Sequence, residues 1–432
     1  MIVSFSVQNF RSIREKLTLD FRATADKHQE EYFIVNIPKP KMRILKMAMI
    51  YGANASGKTS ILMALDYLSK LIIKPIQDKN TRLNIPSFAL DRDKPSTFEI
   101  EYYYLDTLYE YKLTLDTKQV HFESLHYYPK GKRSEVFVRQ LTDKDIPQYR
   151  WSEKLLKKRV KELLELTIDN RTILSSIASI NNENPIQKAN EWFRFKLMTL
   201  TMPYDNLMNV PNQIFVNYKE SRNEIKGFLI STLKRADLWI DDIEITETEV
   251  EASDVPEQFR QERIRTAPPK LKPTFLRYDF GFIHRIHDKQ FTLDMSEESL
   301  GTQRFYGLGF LLMMLIEHGM IVPIDEIDSS LHNDLLIHFI TMFLKHSTQG
   351  QLIFTSHNTA LLNEKEIIRR DCIWITDRKT DGSTELTSVS DYPVRKEHAI
   401  DSLFKKGLIG GKPNLGSITL EDFDGQLEKA KD

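Results

Sequence analysis

Lys46-Met-Ala-Met-Ile-Tyr-Gly-Ala-Asn-Ala-Ser-Gly-Lys-Thr-Ser60 is the stretch on which the fold turns. Lys46–Tyr51 is a short apolar run of the kind a buried parallel strand presents. Ser60–Ile72 has helical periodicity. Between them lies a glycine loop with Lys58 and Thr59. Gly52 and Gly57 allow backbone N–H groups to turn toward phosphate oxygens, where a Cβ would interfere. Lys58 offers a point charge to β- and γ-phosphates, and the Thr59 hydroxyl suits Mg²⁺. The helix start adds its positive end. The loop implies ATP with Mg²⁺, held by Gly52, Asn54, Ser56, Gly57, Lys58, Thr59 and Ser60.

Three later segments fit the same chemistry. Ile321-Val-Pro-Ile-Asp-Glu326 is an apolar strand ending in two acids. Asp325 is the candidate Mg²⁺ ligand beside Thr59, and Glu326 the candidate base that polarises water. Gln351-Leu-Ile-Phe-Thr-Ser-His357 comes one helix later and should end beside the same site. His357 is therefore a candidate to sense the γ-phosphate or orient the water. Ser299-Leu-Gly301 opens a further helix, which reads either as an N-cap or as an anion-binding end.

Around these segments the pattern alternates between strand and helix. Ile2–Phe10 and Leu17–Phe21 alternate like paired strands, and Thr97–Arg139 like an antiparallel meander. Lys154–Leu166, Pro185–Leu197 and Glu220–Arg235 read as helices. Trp239–Val250 is an acidic strand, and Arg260–Lys272 is a basic, proline-broken loop. Thr274–Ile283 with Gln290–Asp294 suggests a hairpin. Gln303–Glu317 and Leu331–Lys345 read as helices, and Cys372–Thr376 as a strand. The divisions expected are 1–140, an insertion at 141–272, and 273–432.

Composition narrows the class. There are 60 basic and 61 acidic side chains in 432 residues, so no global charge favours nucleic acid or membrane. The single cysteine, Cys372, excludes an intramolecular disulfide framework and points to a reducing cytosolic setting. No apolar run is long enough to span a bilayer.

The order of motifs resembles ABC-type ATPases, and more closely their SMC/RecF/OLD-like branch in bacterial defence systems. Asn9-Phe-Arg-Ser-Ile13, the glycine loop, Glu298-Ser-Leu-Gly-Thr-Gln-Arg304, Asp325-Glu-Ile-Asp-Ser-Ser-Leu-His332, Thr355-Ser-His-Asn-Thr-Ala-Leu-Leu362 and Gly407–Leu415 carry the likeness. It covers about 1–140 and 275–415, and looks like the stand-alone ATPases of the AbiL, RloA, PARIS and Septu systems. The fold implied is α/β: an ABC-type head with a mixed β-sheet and flanking helices, an antiparallel β subdomain and a partly helical insertion. The likeness implies slow ATP hydrolysis and a homodimer at least, with higher assembly open. In that dimer Ser299 and Gly301 would cap the γ-phosphate held by the partner subunit's glycine loop, and Ser329–His332 would cross the interface. Arg11 is a nucleotide contact by position, or else half of a surface ion pair. After residue 390 little chain remains for a nuclease, so a separate Toprim-like or HNH effector is expected.

The departures are a signature without its leading Leu and second Gly, and no convincing glutamine lid, Gln77 being the candidate. Two other readings stay open. One is a sensor scaffold that binds ATP structurally; the other is a RecF/SMC-like DNA-repair ATPase contacting nucleic acid through Arg263, Arg265, Lys270 and Lys272. The basic helix at Lys154–Lys161 reads as a solvated face, or as a surface for nucleic acid or a partner protein. His284 and His287 read as hairpin surface rather than metal ligands.

Overall fold

A computed structural model describes residues 1–180, 184–250, 275–287, 289–393 and 398–412. The basic loop at 260–272 and the end of the Gly407–Leu415 motif lie outside the described residues. β1 (Ile2–Gln8) and β2 (Leu17–Asp20) pair antiparallel, as their alternation predicts. A hairpin absent from the sequence reading, β3 (Ile34–Ile37) with β4 (Met42–Leu45), leads into β5 (Met47–Gly52). Every residue of β5 is buried. Helix α1 (Lys58–Ile73) follows the glycine loop.

The meander is β6 (Ser96–Tyr104), β7 (Thr107–Leu115), β8 (Val120–Tyr127), β9 (Ser134–Leu141) and β10 (Pro147–Trp151). With β1 and β2 it makes a seven-stranded sheet in the order β10-β9-β8-β7-β6-β1-β2. β10 carries this sheet past residue 140. Helix α2 (Lys158–Glu165) is shorter than the predicted 154–166, because Lys157 is extended and Lys161 reaches back to Glu153 at 2.6 Å. Helices α3 (Pro185–Phe195), α4 (Asn209–Asn217) and α5 (Arg222–Arg235) follow. Trp192 of α3 is fully buried and stacks on Tyr102 of β6 at 4.1 Å, docking the helix on the antiparallel sheet.

β11 (Ile240–Val250), β12 (Phe275–Ile286) and β13 (Lys289–Asp294) form one antiparallel sheet, so residues on both sides of position 272 are paired. Helix α6 (Leu300–Ile316) is apolar on nearly every side and packs against both α5 and α7 (Asn333–His346). Burying each large aliphatic side chain there stabilises by roughly 1.5–3 kcal/mol.

The central sheet adds β14 (Ile321–Ile324), β15 (Gln351–Thr355), β16 (Ile373–Arg378) and β17 (Thr384–Ser388), in the order β14-β15-β5-β16-β17. The first four strands are parallel, and β17 runs back antiparallel to β16. Bridges from Leu197 to Ile321 and from Thr201 to Ile324 extend the edge beyond β14. The carboxyl ends of β5, β14, β15 and β16 therefore share one edge of the sheet, where open α/β sheets place their ligands.

Candidate functional site

The glycine loop leaves β5 with Ala55 (φ 61°) and Gly57 (φ 106°) in left-handed conformations. Its glycines are required for a reason the sequence did not show. A Cβ on Gly57 would lie 1.9 Å from Thr384 Oγ1, and one on Gly52 would lie 2.2 Å from Thr376 Oγ1. Packing from β16 and β17 behind the loop by itself excludes a side chain. The same threonines fasten the loop. Ser56 Oγ and Thr376 Oγ1 are 2.5 Å apart, and Thr384 Oγ1 donates to the Ser56 carbonyl at 2.9 Å. Ser12 joins them by donating to Ser60 Oγ at 2.9 Å.

Lys58 is buried, and its Nζ donates to the Gly52 and Ala53 carbonyls at 3.0 and 3.1 Å. Desolvation pushes its pKa down, against the pull of Asp325, Glu326 and Asp328. Thr59 Oγ1 donates to Asp325 Oδ2 at 2.9 Å. The two expected Mg²⁺ ligands are thus in contact, an oxygen-only donor pair that suits a cation which keeps several of its waters.

Asp325 directly follows β14, its N–H held by the Thr201 carbonyl at 2.8 Å. Its Oδ1 accepts from Thr355 Oγ1 at 2.6 Å, and the same hydroxyl accepts the Glu326 N–H at 2.8 Å. Glu326 takes a left-handed turn (φ 46°). Its carboxylate lies 3.7 Å from His357 Nε2, both side chains being partly exposed. From below, the buried Arg304 of α6 donates to the Glu326 carbonyl and to the Pro203 carbonyl, each at 3.2 Å. Thr355 and Arg304 lie within the sequence motifs but have no evident part in them. A strand-end threonine and a helical arginine carry no local signal for it.

A cleft of about 750 Å³ opens over these groups. Its lining includes Asn54, Gly57, Lys58, Thr59, Ser60, Glu326 and His357, with Arg11, Pro86 and Phe88 on another side. Arg11 is exposed (φ 52°), and no ion pair engages its guanidinium among the described residues. Gln77 does not line the cleft; it meets Arg171 instead. Ser299 and Gly301 do not line it either. Ser299 caps α6 through Thr302 N–H at 3.1 Å, and Leu300 beside it is 70% exposed. His284 holds Glu298 at 2.6 Å and the Trp239 carbonyl at 3.1 Å, which fixes the signature to β12. No helix among the described residues is long and apolar enough to cross a membrane.

Fold and site together define a phosphate-loop nucleotide-binding protein of mixed α/β class. The sequence matches the family described as "AAA domain, putative AbiEii toxin, Type IV TA system" over residues 47–363, and the chain belongs to this family of AAA-type ATPases. A search of curated proteins finds no match. Among solved structures the chain is similar to an SMC head bound to the C-winged helix domain of ScpA. Identity there is 12% and the TM-score 0.42, over 92% of this chain and 99% of that one. It is also similar to the SMC head domain from Thermotoga maritima, at 13% identity and TM-score 0.38, over 90% and 98%.

Proposed function

We propose that the chain hydrolyses ATP slowly, pairs head-to-head with a second copy on binding it, and regulates a separate effector in anti-phage defence. The observation that carries this reading is the meeting of Lys58, Thr59, Asp325, Glu326 and His357 across three adjacent strand ends. Asn54, Gly57 and Ser60 complete the phosphate cradle, while Ser56, buried and outside the cleft lining, fastens the loop from behind through Thr376 and Thr384. Mg²⁺ would be held by Thr59 and Asp325, where it would neutralise phosphate charge. Lys58 places its cation against the γ-phosphate, Glu326 polarises the attacking water, and His357 orients that water or senses the phosphate.

Pairing is supported by the position of Ser299 and Gly301. They are exposed or half-exposed outside their own cleft, so they are free to meet the cleft of a second copy. The defence role draws on the family match, whose description names a toxin–antitoxin context. A nuclease is the effector class proposed. Glu326→Gln should reduce ATP turnover at least ~100-fold while Mg²⁺-dependent ATP binding persists. Light scattering on that variant should show a dimer with ATP and a monomer with ADP. Turnover equal to the unmodified protein would remove Glu326 from the chemistry.

A further inference from the structure

The turn joining β16 to β17, Arg378–Thr384, lies outside every motif read in the sequence, yet Arg378 and Gly382 line the same cleft as the glycine loop. The turn is fastened from two directions. Thr384 Oγ1 donates to the Ser56 carbonyl at 2.9 Å and lies 2.8 Å from Ser12 Oγ, and its N–H donates to the Ser12 carbonyl at 2.8 Å. Asp381 accepts from Arg14 Nη1 at 3.1 Å and from the N–H and hydroxyl of Ser383 at 3.0 and 2.6 Å. Within the turn, Lys379 N–H donates to the Ser383 carbonyl at 2.8 Å and Gly382 N–H to the Lys379 carbonyl at 2.9 Å. A segment tied in this way to the glycine loop and to Ser12–Arg14 holds its position relative to both.

The cation it carries has donors to spare. Arg378 is exposed and spends Nε on the Gly382 carbonyl at 3.3 Å; among the described residues no carboxylate pairs with its guanidinium. Arg11, Lys58 and Arg378 all line this cleft, with Glu326 as the acidic residue in its described lining. Like charges gathered at one concavity repel unless an anion enters among them, and a guanidinium fork matches phosphate oxygens better than an ammonium does.

We propose that Arg378 binds the phosphate chain of the nucleoside triphosphate, so that the β16–β17 turn forms a third wall of the site beside the glycine loop and the Arg11/Pro86–Phe88 side. This rests on the reading that the glycine loop holds ATP. The test is equilibrium binding of a fluorescent ATP analogue with Mg²⁺ to the full chain and to Arg378→Ala, Arg378→Lys and Lys58→Ala, with melting temperatures in parallel. Arg378→Ala should weaken binding about tenfold with an unchanged melting temperature. Arg378→Lys, which keeps the charge but loses the fork, should fall between. If Arg378→Ala binds like the unmodified protein while Lys58→Ala does not bind, the proposal is overturned and the ATP reading stands. If Lys58→Ala also binds normally, the ATP reading itself fails.

Discussion

At the residue scale, Thr355 joins the two acids assigned different tasks, donating to Asp325 Oδ1 and accepting the Glu326 N–H. Replacing it by valine keeps the shape but leaves both groups short of a partner, at about 1–3 kcal/mol for each buried polar group. Thr355→Val should therefore lower kcat by roughly 10–100-fold through misplacement of Glu326, with ATP affinity close to normal. Steady-state kinetics beside equilibrium binding separates the two; an unchanged kcat would show that the hydroxyl positions nothing. Lys58 and Thr59 were legible because they are neighbours in the chain and sit between an apolar strand and a helix. Asp325, Glu326 and His357 were legible as strand ends. Thr355, Thr376 and Thr384 were not, since their parts depend on which strands lie side by side.

At the element scale, the order β15-β5-β16 puts one strand on each side of the glycine strand, and β17 then folds back on β16 to bring Thr384 to the loop. Gly57→Ala meets both a left-handed backbone and a contact with Thr384, so it should cost about 2 kcal/mol or more and abolish ATP binding. Thermal melting with a nucleotide titration reads both, and a variant as stable as the parent would contradict the packing reason. Lys46, just before β5, caps α7 by donating to the Leu344 and Ser347 carbonyls at 2.7 and 2.8 Å. Burial pushes its amine down from 10.5 to about 8. Between those values the unfolded chain binds the extra proton, so this group's contribution to stability rises with pH there and is constant below about 8. The melting temperature of the parent minus that of Lys46→Met should rise from pH 8 to pH 10; a constant difference would contradict it. The main strands and helices were predictable from periodicity. The hairpin β3–β4 was missed because its strands are too short to alternate visibly.

At the scale of the whole molecule, the signature and the glycine loop belong to different surfaces. Ser299 caps its own helix, while Leu300 faces solvent and Ser299 and Gly301 lie outside the cleft that Lys58 lines. Arg304, three residues beyond Gly301, holds the carbonyl of Glu326. A partner docking on Ser299 would therefore press on the helix that supports the recipient chain's own Glu326. The motif order in the sequence named these segments but not the surfaces on which they lie. The joining of residues on both sides of 272 in one sheet was not legible either, because strand pairing across a long insertion leaves no local pattern.

The composite site is tested most directly by mixing two inactive variants. Lys58→Ala removes the cation of one loop, and Ser299→Arg bars the signature of the other chain. Each alone should hydrolyse ATP at background rate. An equimolar mixture should recover activity well above the sum of the two, because one pairing in the mixed dimer unites an intact loop with an intact signature. A mixture that shows only the summed background would contradict a site shared between two copies.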